Sequence, residues 1–215
     1  MTADKYIYDA MYDDYVLEKE WQDVYAELSR EAVTTFTVER LRSYYSAHPR
    51  VAEAALRWLA ESRKLLLEHS SAALVFAASA LEVGLKETLL RPVVYGLVHA
   101  ESVASLVAEL TLRHTGFDRY RDLLFQILSQ YGGVDLRDFS REGSHKTLWE
   151  EIKEVQSRRN DVLHRAEPAS AEDAARSIAV ASTVLEVVFP AVVNSLGLHL
   201  HQEGRLCNES GGKKG

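Results

Sequence analysis

Ser157-Arg158-Arg159-Asn160-Asp161-Val162-Leu163-His164-Arg165 is the densest run of positive charge in a chain whose net charge is −7. It reads as the end of a helix. Thr147 and Glu150 have the T-x-x-E spacing of a capping box, which places the helix start there. Trp149, Ile152, Val155, Val162 and Leu163 then fall on one face at helical spacing. At 100° per residue from Trp149, Arg159 lies at about 280°, inside the apolar stripe, and Arg158 at about 180°, outside it. A cation on the packed face needs a partner, because an unpaired buried charge is costly. Arg158 reads as a solvated surface charge. His164 lies about 140° around the helix from Arg159, so one continuous helix does not bring the two together. Either the helix loosens at Arg165-Ala166-Glu167-Pro168, where proline disfavours helix in the residue before it, or two chains place Arg159 and His164 in one cleft.

Arg159-Asn160, followed after three residues by His164, resembles the R-x(4–6)-H motif of the HEPN superfamily, in which a polar residue commonly follows the arginine. Arg63 and His69 have similar spacing, but Lys64 follows the arginine and the context differs. The resemblance covers roughly residues 50–197 and implies an all-α, HEPN-like antiparallel helical bundle, usually dimeric, with extra N-terminal helices here. It also implies RNA cleavage without a metal, in a toxin or antiviral-defence effector. The RNA's own 2′-hydroxyl attacks the adjacent phosphate and leaves a 2′,3′-cyclic phosphate. In that reading His164 moves protons, as a side chain that titrates near neutral pH can. Arg159 holds the phosphate through its guanidinium fork, and Asn160 orients one or the other. Arg158 and Arg165 support the charge, and no cofactor or metal takes part. The alternative within the same family is a non-catalytic module for dimerisation, partner binding or nucleotide binding. The residue two beyond the histidine is Ala166, where some HEPN toxins carry a tyrosine modified by a partner antitoxin. An antitoxin or defence-system partner would act here by another route.

The rest of the chain fits that frame. From Ser70 to Leu85 the only charge is Glu82, and the segment is apolar all round, as a central buried helix should be. Glu82 and Arg159 therefore read as a buried ion pair, the alternative being that Glu82 sits at a solvent-exposed edge. Upstream, residues 1–48 form an acidic, tyrosine-rich arm with helices near 14–31 and 38–46. Residues 1–31 hold nine acids and three bases, a net of −6, so the remaining 184 residues carry −1. That distribution permits a local phosphate site and argues against broad duplex binding. Tyr6, Tyr8, Tyr12, Tyr15 and Tyr25 lie in the arm, packing on the body or masking the basic motif. The main domain runs over 49–200, with Pro49 in a helix's first turn, a chain reversal after Arg91-Pro92, and helices near 99–113 and 118–130.

Gly132-Gly133 begins a loop that walls or covers a cleft, and Ser170 with Glu172 and Asp173 announces the last helix. Between Ser177 and Gln202 the only charge is Glu186. A membrane span is disfavoured there by that carboxylate and by Pro190, so the segment reads as a core or interface helix, kinked or ended near Phe189-Pro190. Residues 201–215 read as a flexible tail. The single cysteine, Cys207, excludes a disulfide framework and a cysteine-rich zinc site; the His199/His201 pair reads as bland tail before metal ligand. The expected partners are RNA and a second copy of the chain, without a membrane, and the expected compartment is the cytoplasm. G-x-G-x-x-G, P-loop, H-E-x-x-H and G-x-S-x-G patterns are all missing from the sequence.

Overall fold

The computed structural model describes residues 36–97, 102–106, 121–201 and 204–208. The expected helix over 14–31 and the five tyrosines of the arm lie outside them, as do most of the expected helix over 99–113 and the start of that over 118–130. The chain divides into two compact units, Met1–Glu39 and Arg40–Gly215. The second unit is mostly helical. Helix α1 covers residues 36–47, and its last turns belong to this unit. Leu41 and Tyr45 are buried in the core, so residues 40–48 belong with the body rather than with the arm.

Helices α2 (Glu53–Leu65) and α3 (Ser70–Val83) are joined by a short turn and pack on one another. Pro49 precedes α2 instead of opening it. The small, uncharged face of α3 does what its composition implies: Ala73, Leu74, Ala77, Ala78, Ala80 and Leu81 are all buried. α3 then runs into a wide π-helical segment, Gly84–Leu90, and continues as α4 (Arg91–Leu97). The reversal expected at Arg91-Pro92 does not occur. Proline has no N–H to give the carbonyl four residues back, which is that of Thr88, and the buried Tyr45 hydroxyl donates to that oxygen at 2.6 Å instead. Burial also pushes the Tyr45 phenol far above its ordinary pKa, so it remains a donor.

Helix α5 (Arg121–Gly132) ends at Gly133, whose φ of 62° is left-handed. The next loop leads to α6 (Leu148–Arg165), α7 (Ala171–Ser182), a second π-helical segment Thr183–Val188, and α8 (Phe189–Ser195). Both expected helix starts are capping boxes: Thr147 with Glu150, and Ser170 with Asp173. Hydrogen bonds from the Thr147 backbone and side chain hold the Glu150 carboxyl below its usual range. The π-segment ahead of Phe189-Pro190 lets the last helix pass its proline, as the first does at Pro92. Helix α3 packs against α2, α6 and α7, and α8 against α5.

Where the two π-segments meet, Gly84 faces Leu185, and a Cβ on Gly84 would lie 2.7 Å from Leu185 Cδ2. The run Ala171–Ser195 is the one helix among the described residues long and apolar enough to cross a membrane, and 56% of its apolar window is buried inside the fold. Its Glu186 meets Arg63 of α2 through two guanidinium–carboxylate bonds, at 2.9 and 2.7 Å. That bond is also the first cause of a raised Arg63 pKa. It is a core helix.

After α8, strands β1 (Leu198–Leu200) and β2 (Leu206–Asn208) form an antiparallel hairpin. The Leu206 N–H donates to the Pro49 carbonyl at 2.7 Å, and Leu198, Gly204 and Leu206 are buried. The expected flexible tail is therefore ordered over residues 204–208, because alternate leucines give the hairpin an inner face.

Tyr45→Phe leaves the Thr88 carbonyl buried without its donor and should cost about 1–3 kcal/mol. Gly84→Ala forces the contact with Leu185 apart and should cost a similar ~1–3 kcal/mol. Urea midpoints for the two variants check both; an unchanged midpoint for either contradicts the packing described.

Candidate functional site

The end of α6 is held by more than its own helix. Arg158 Nε lies 3.2 Å from Asp173 Oδ2 of α7, Nη1 3.3 Å from Glu167 Oε2, and Nη2 donates to the Pro168 carbonyl at 2.8 Å. It is the clamp that fastens the α6–α7 turn, not the free surface charge its position outside the apolar stripe predicted. The reason is tertiary: the turn after α6 folds back along the outer side of the helix. The Ala169 N–H donates to Ser71 Oγ at 2.9 Å, which ties the same turn to α3. Val162 and Ala169 pack with Leu65 and Leu66 on the buried Ala73, Leu74 and Ala174. Burial raises the Asp173 carboxyl pKa, but hydrogen bonds from Ser170 and Arg158 outweigh it and hold the group below its ordinary range.

Arg159 points the other way, toward α3. Its Nη2 is 4.0 Å from Glu82 Oε2, and its Nη1 donates to Asn160 Oδ1 at 3.3 Å. Its buried Nε has no hydrogen-bond partner among the described residues. Glu82 already holds Lys86 Nζ at 2.7 Å. The expected buried pair is thus a long contact at a half-open edge, with 34% of the Arg159 side chain and 35% of Glu82 exposed. Lys86 stands four residues after Glu82, a spacing at which helical charges pair, so this competitor was legible in the sequence.

Asn160, His164 and Arg165 are exposed, and Arg165 pairs with Asp161 one turn back at 3.1 Å. Helix α6 stays helical through Arg165 and ends at Ala166, whose φ is 56°. It does not loosen before His164, so Arg159 and His164 remain about 140° apart in one chain. The structure brings Arg159 together with Glu82 and Asn160, and leaves His164 apart on the solvent side.

Two clefts flank α6. One of about 370 Å³ lies at its start between Arg121, Phe125, Leu136, Arg137 and Trp149. The other, about 290 Å³, follows Lys146, Ser157, Arg158, Asp161 and Arg176. The loop after Gly133 walls the first and lends Lys146 to the second, as expected of it, but Arg159, Asn160 and His164 line neither. One interaction that no helical pattern announced fixes that loop: Arg141 meets both oxygens of Glu151 at 3.0 and 2.9 Å, and Glu151 is 3% exposed. Ten residues and an irregular segment separate the partners, so no sequence spacing signals the pair.

No protein-family model matches the chain, and neither a curated protein nor a solved structure matches it.

Arg141→Ala strands the buried Glu151 carboxylate and should cost about 3–5 kcal/mol. Glu82→Ala, at the half-open edge, should cost no more than about 1 kcal/mol. Denaturant midpoints that rank the two the other way contradict this assignment. The depressed Asp173 pKa makes its contribution to stability fully present above the ordinary carboxylate range and lost as pH falls through the folded value. A melting series from pH 6 to pH 2 should therefore show a smaller acid loss in Asp173→Asn than in the wild type, with Ser170 retained in both.

Proposed function

We propose that this chain is a HEPN-type endoribonuclease that cleaves RNA without a metal and works as a homodimer in the cytoplasm, as a toxin or antiviral-defence effector. The observation that carries the reading is the contrast between two adjacent arginines. Arg158 spends its guanidinium on three acceptors of its own chain. Arg159 uses its terminal nitrogens for one long carboxylate contact and one bond to its neighbour, which leaves N–H groups over on both, while its Nε is buried. A guanidinium with donors to spare at a half-open edge suits a phosphate oxygen, which accepts the charge-assisted bonds that Glu82 supplies only at long range.

His164 belongs to the same reading, as an exposed imidazole at the end of a helix whose position the Arg158 clamp fixes. The 2′-hydroxyl loses a proton as its oxygen attacks phosphorus; the P–O5′ bond breaks and the leaving oxygen gains a proton. His164 serves those transfers, Arg159 holds the charge that builds on the non-bridging oxygens, and Asn160 orients the phosphate. Because the helix sets the two groups about 140° apart, a second copy must supply the partner residue. A two-fold axis at this edge places Arg159 of one chain near His164 of the other.

The divergence within one chain also favours a second reading, a binding or dimerisation module of the same architecture in which the cluster recognises a partner or nucleotide without cleaving it.

Purified chain incubated with mixed RNAs in excess chelator should release fragments ending in 2′,3′-cyclic phosphate. His164→Ala and Arg159→Ala should each slow this by about 10²-fold or more. Mixed heterodimers of the two variants should recover activity that neither has alone, because one of the two composite clefts is then intact. Cleavage by a monomer, or by His164→Ala at the wild-type rate, overturns the catalytic reading; RNA binding without cleavage selects the module.

A further inference from the structure

The C-terminal hairpin has an inner and an outer face. Leu198, Leu200 and Leu206 alternate inward, with Leu198 and Leu206 buried. His199, His201 and Cys207 lie on the opposite face of the ladder, and all three are soft or borderline metal donors. The register sets Cys207 directly opposite His199, which leaves their Cβ atoms about 4.5–5.5 Å apart. His201 is the diagonal neighbour, and its Nε2 lies 2.9 Å from Cys207 Sγ. The His199 and His201 rings stand nearly perpendicular, 89° apart in plane and 5.4 Å between centroids.

The two measured spacings, ring to ring and sulfur to nitrogen, lie near those of ligands on one ion without forming a closed set. Zinc bonds imidazole nitrogen at about 2.0–2.1 Å and thiolate sulfur at about 2.3 Å in tetrahedral geometry. Two imidazoles on such an ion have centroids about 5.2 Å apart, and nitrogen and sulfur stand about 3.6 Å apart across it. The ring spacing is already that of two ligands, and the sulfur–nitrogen contact needs to open by about 0.7 Å. As arranged, the donors among the described residues do not yet surround a common point. His199 and His201 are exposed, so rotation about their side-chain torsions closes the set without moving the strands. Imidazole and thiolate together select zinc or copper over magnesium or calcium.

We propose that His199, His201 and Cys207 form a zinc(II) site on the outer face of the hairpin, with its fourth position open to water. Binding displaces the Cys207 thiol proton to solvent and leaves a thiolate on the metal. The ion then clips β1 to β2, and the hairpin in turn is bonded to Pro49 ahead of α2. The site is independent of Arg159 and His164.

The test uses the untagged full chain, stripped with chelator and titrated with zinc chloride against a chromophoric competitor. One equivalent should bind, and cobalt(II) in its place should show a near-ultraviolet thiolate-to-metal charge-transfer band. Cys207→Ser should abolish the band, while Cys207→Ser and His199→Ala should each weaken zinc binding by roughly tenfold or more, as expected when a three-residue set loses a member. His145→Ala, an exposed histidine elsewhere, should bind as the wild type does. His199→Ala alters only an exposed side chain, so it remains informative if Cys207→Ser misfolds. Failure of the wild type to bind one equivalent, or binding that both Cys207→Ser and His199→Ala leave unchanged, overturns the site.

Discussion

Helix α3 is packed against three other helices, and that single constraint propagates through the fold. A helix without a polar face must be covered by several neighbours, here α2, α6 and α7. Close cover requires small residues, which is why alanines dominate its buried positions and why Gly84 meets Leu185 where the π-segments cross. It also drives charge to the margins. Glu82 survives on α3 at its half-open end, and Glu186 survives on the last apolar helix because Arg63 meets it. The two prolines are carried by the same logic, since the core is better filled by a helix that widens into a π-turn than by one that stops. Tyr45 satisfies the backbone oxygen that Pro92 leaves over.

The motif helix inherits its position from this arrangement. Val162 reaches the core beside Leu74, Arg158 binds the following turn, and the Ala169 amide is held by Ser71. Together they leave the segment from Arg159 to His164 on a rigid support, with one guanidinium incompletely used and one imidazole in solvent. A site on a fixed helix end can hold a charged ligand with little loss of side-chain freedom. The same rigidity prevents one chain from folding Arg159 and His164 onto a common atom. The proposed chemistry therefore ties the fold to a two-fold assembly.

What the amino-acid sequence determined was local and periodic. The capping residues Thr147 and Ser170, the buried character of α3 and the absence of local metalloprotease or nucleotide-loop patterns could all be read from residues within a few positions of each other. So could the angular divergence of Arg159 and His164, because a helix fixes it once the helix persists. The tertiary structure decided everything that depends on chain segments meeting: Arg158 as a clamp instead of a free charge, Arg141 on Glu151, Glu82 shared with Lys86, and Cys207 opposite His199. It also decided that Pro92 continues a helix, since the hydroxyl that compensates it comes from 43 residues away. Side-chain periodicity carries information only over the turn or two in which it repeats. A charge's partner, and hence its role, is set by which distant surface the packing of α3 brings beside it.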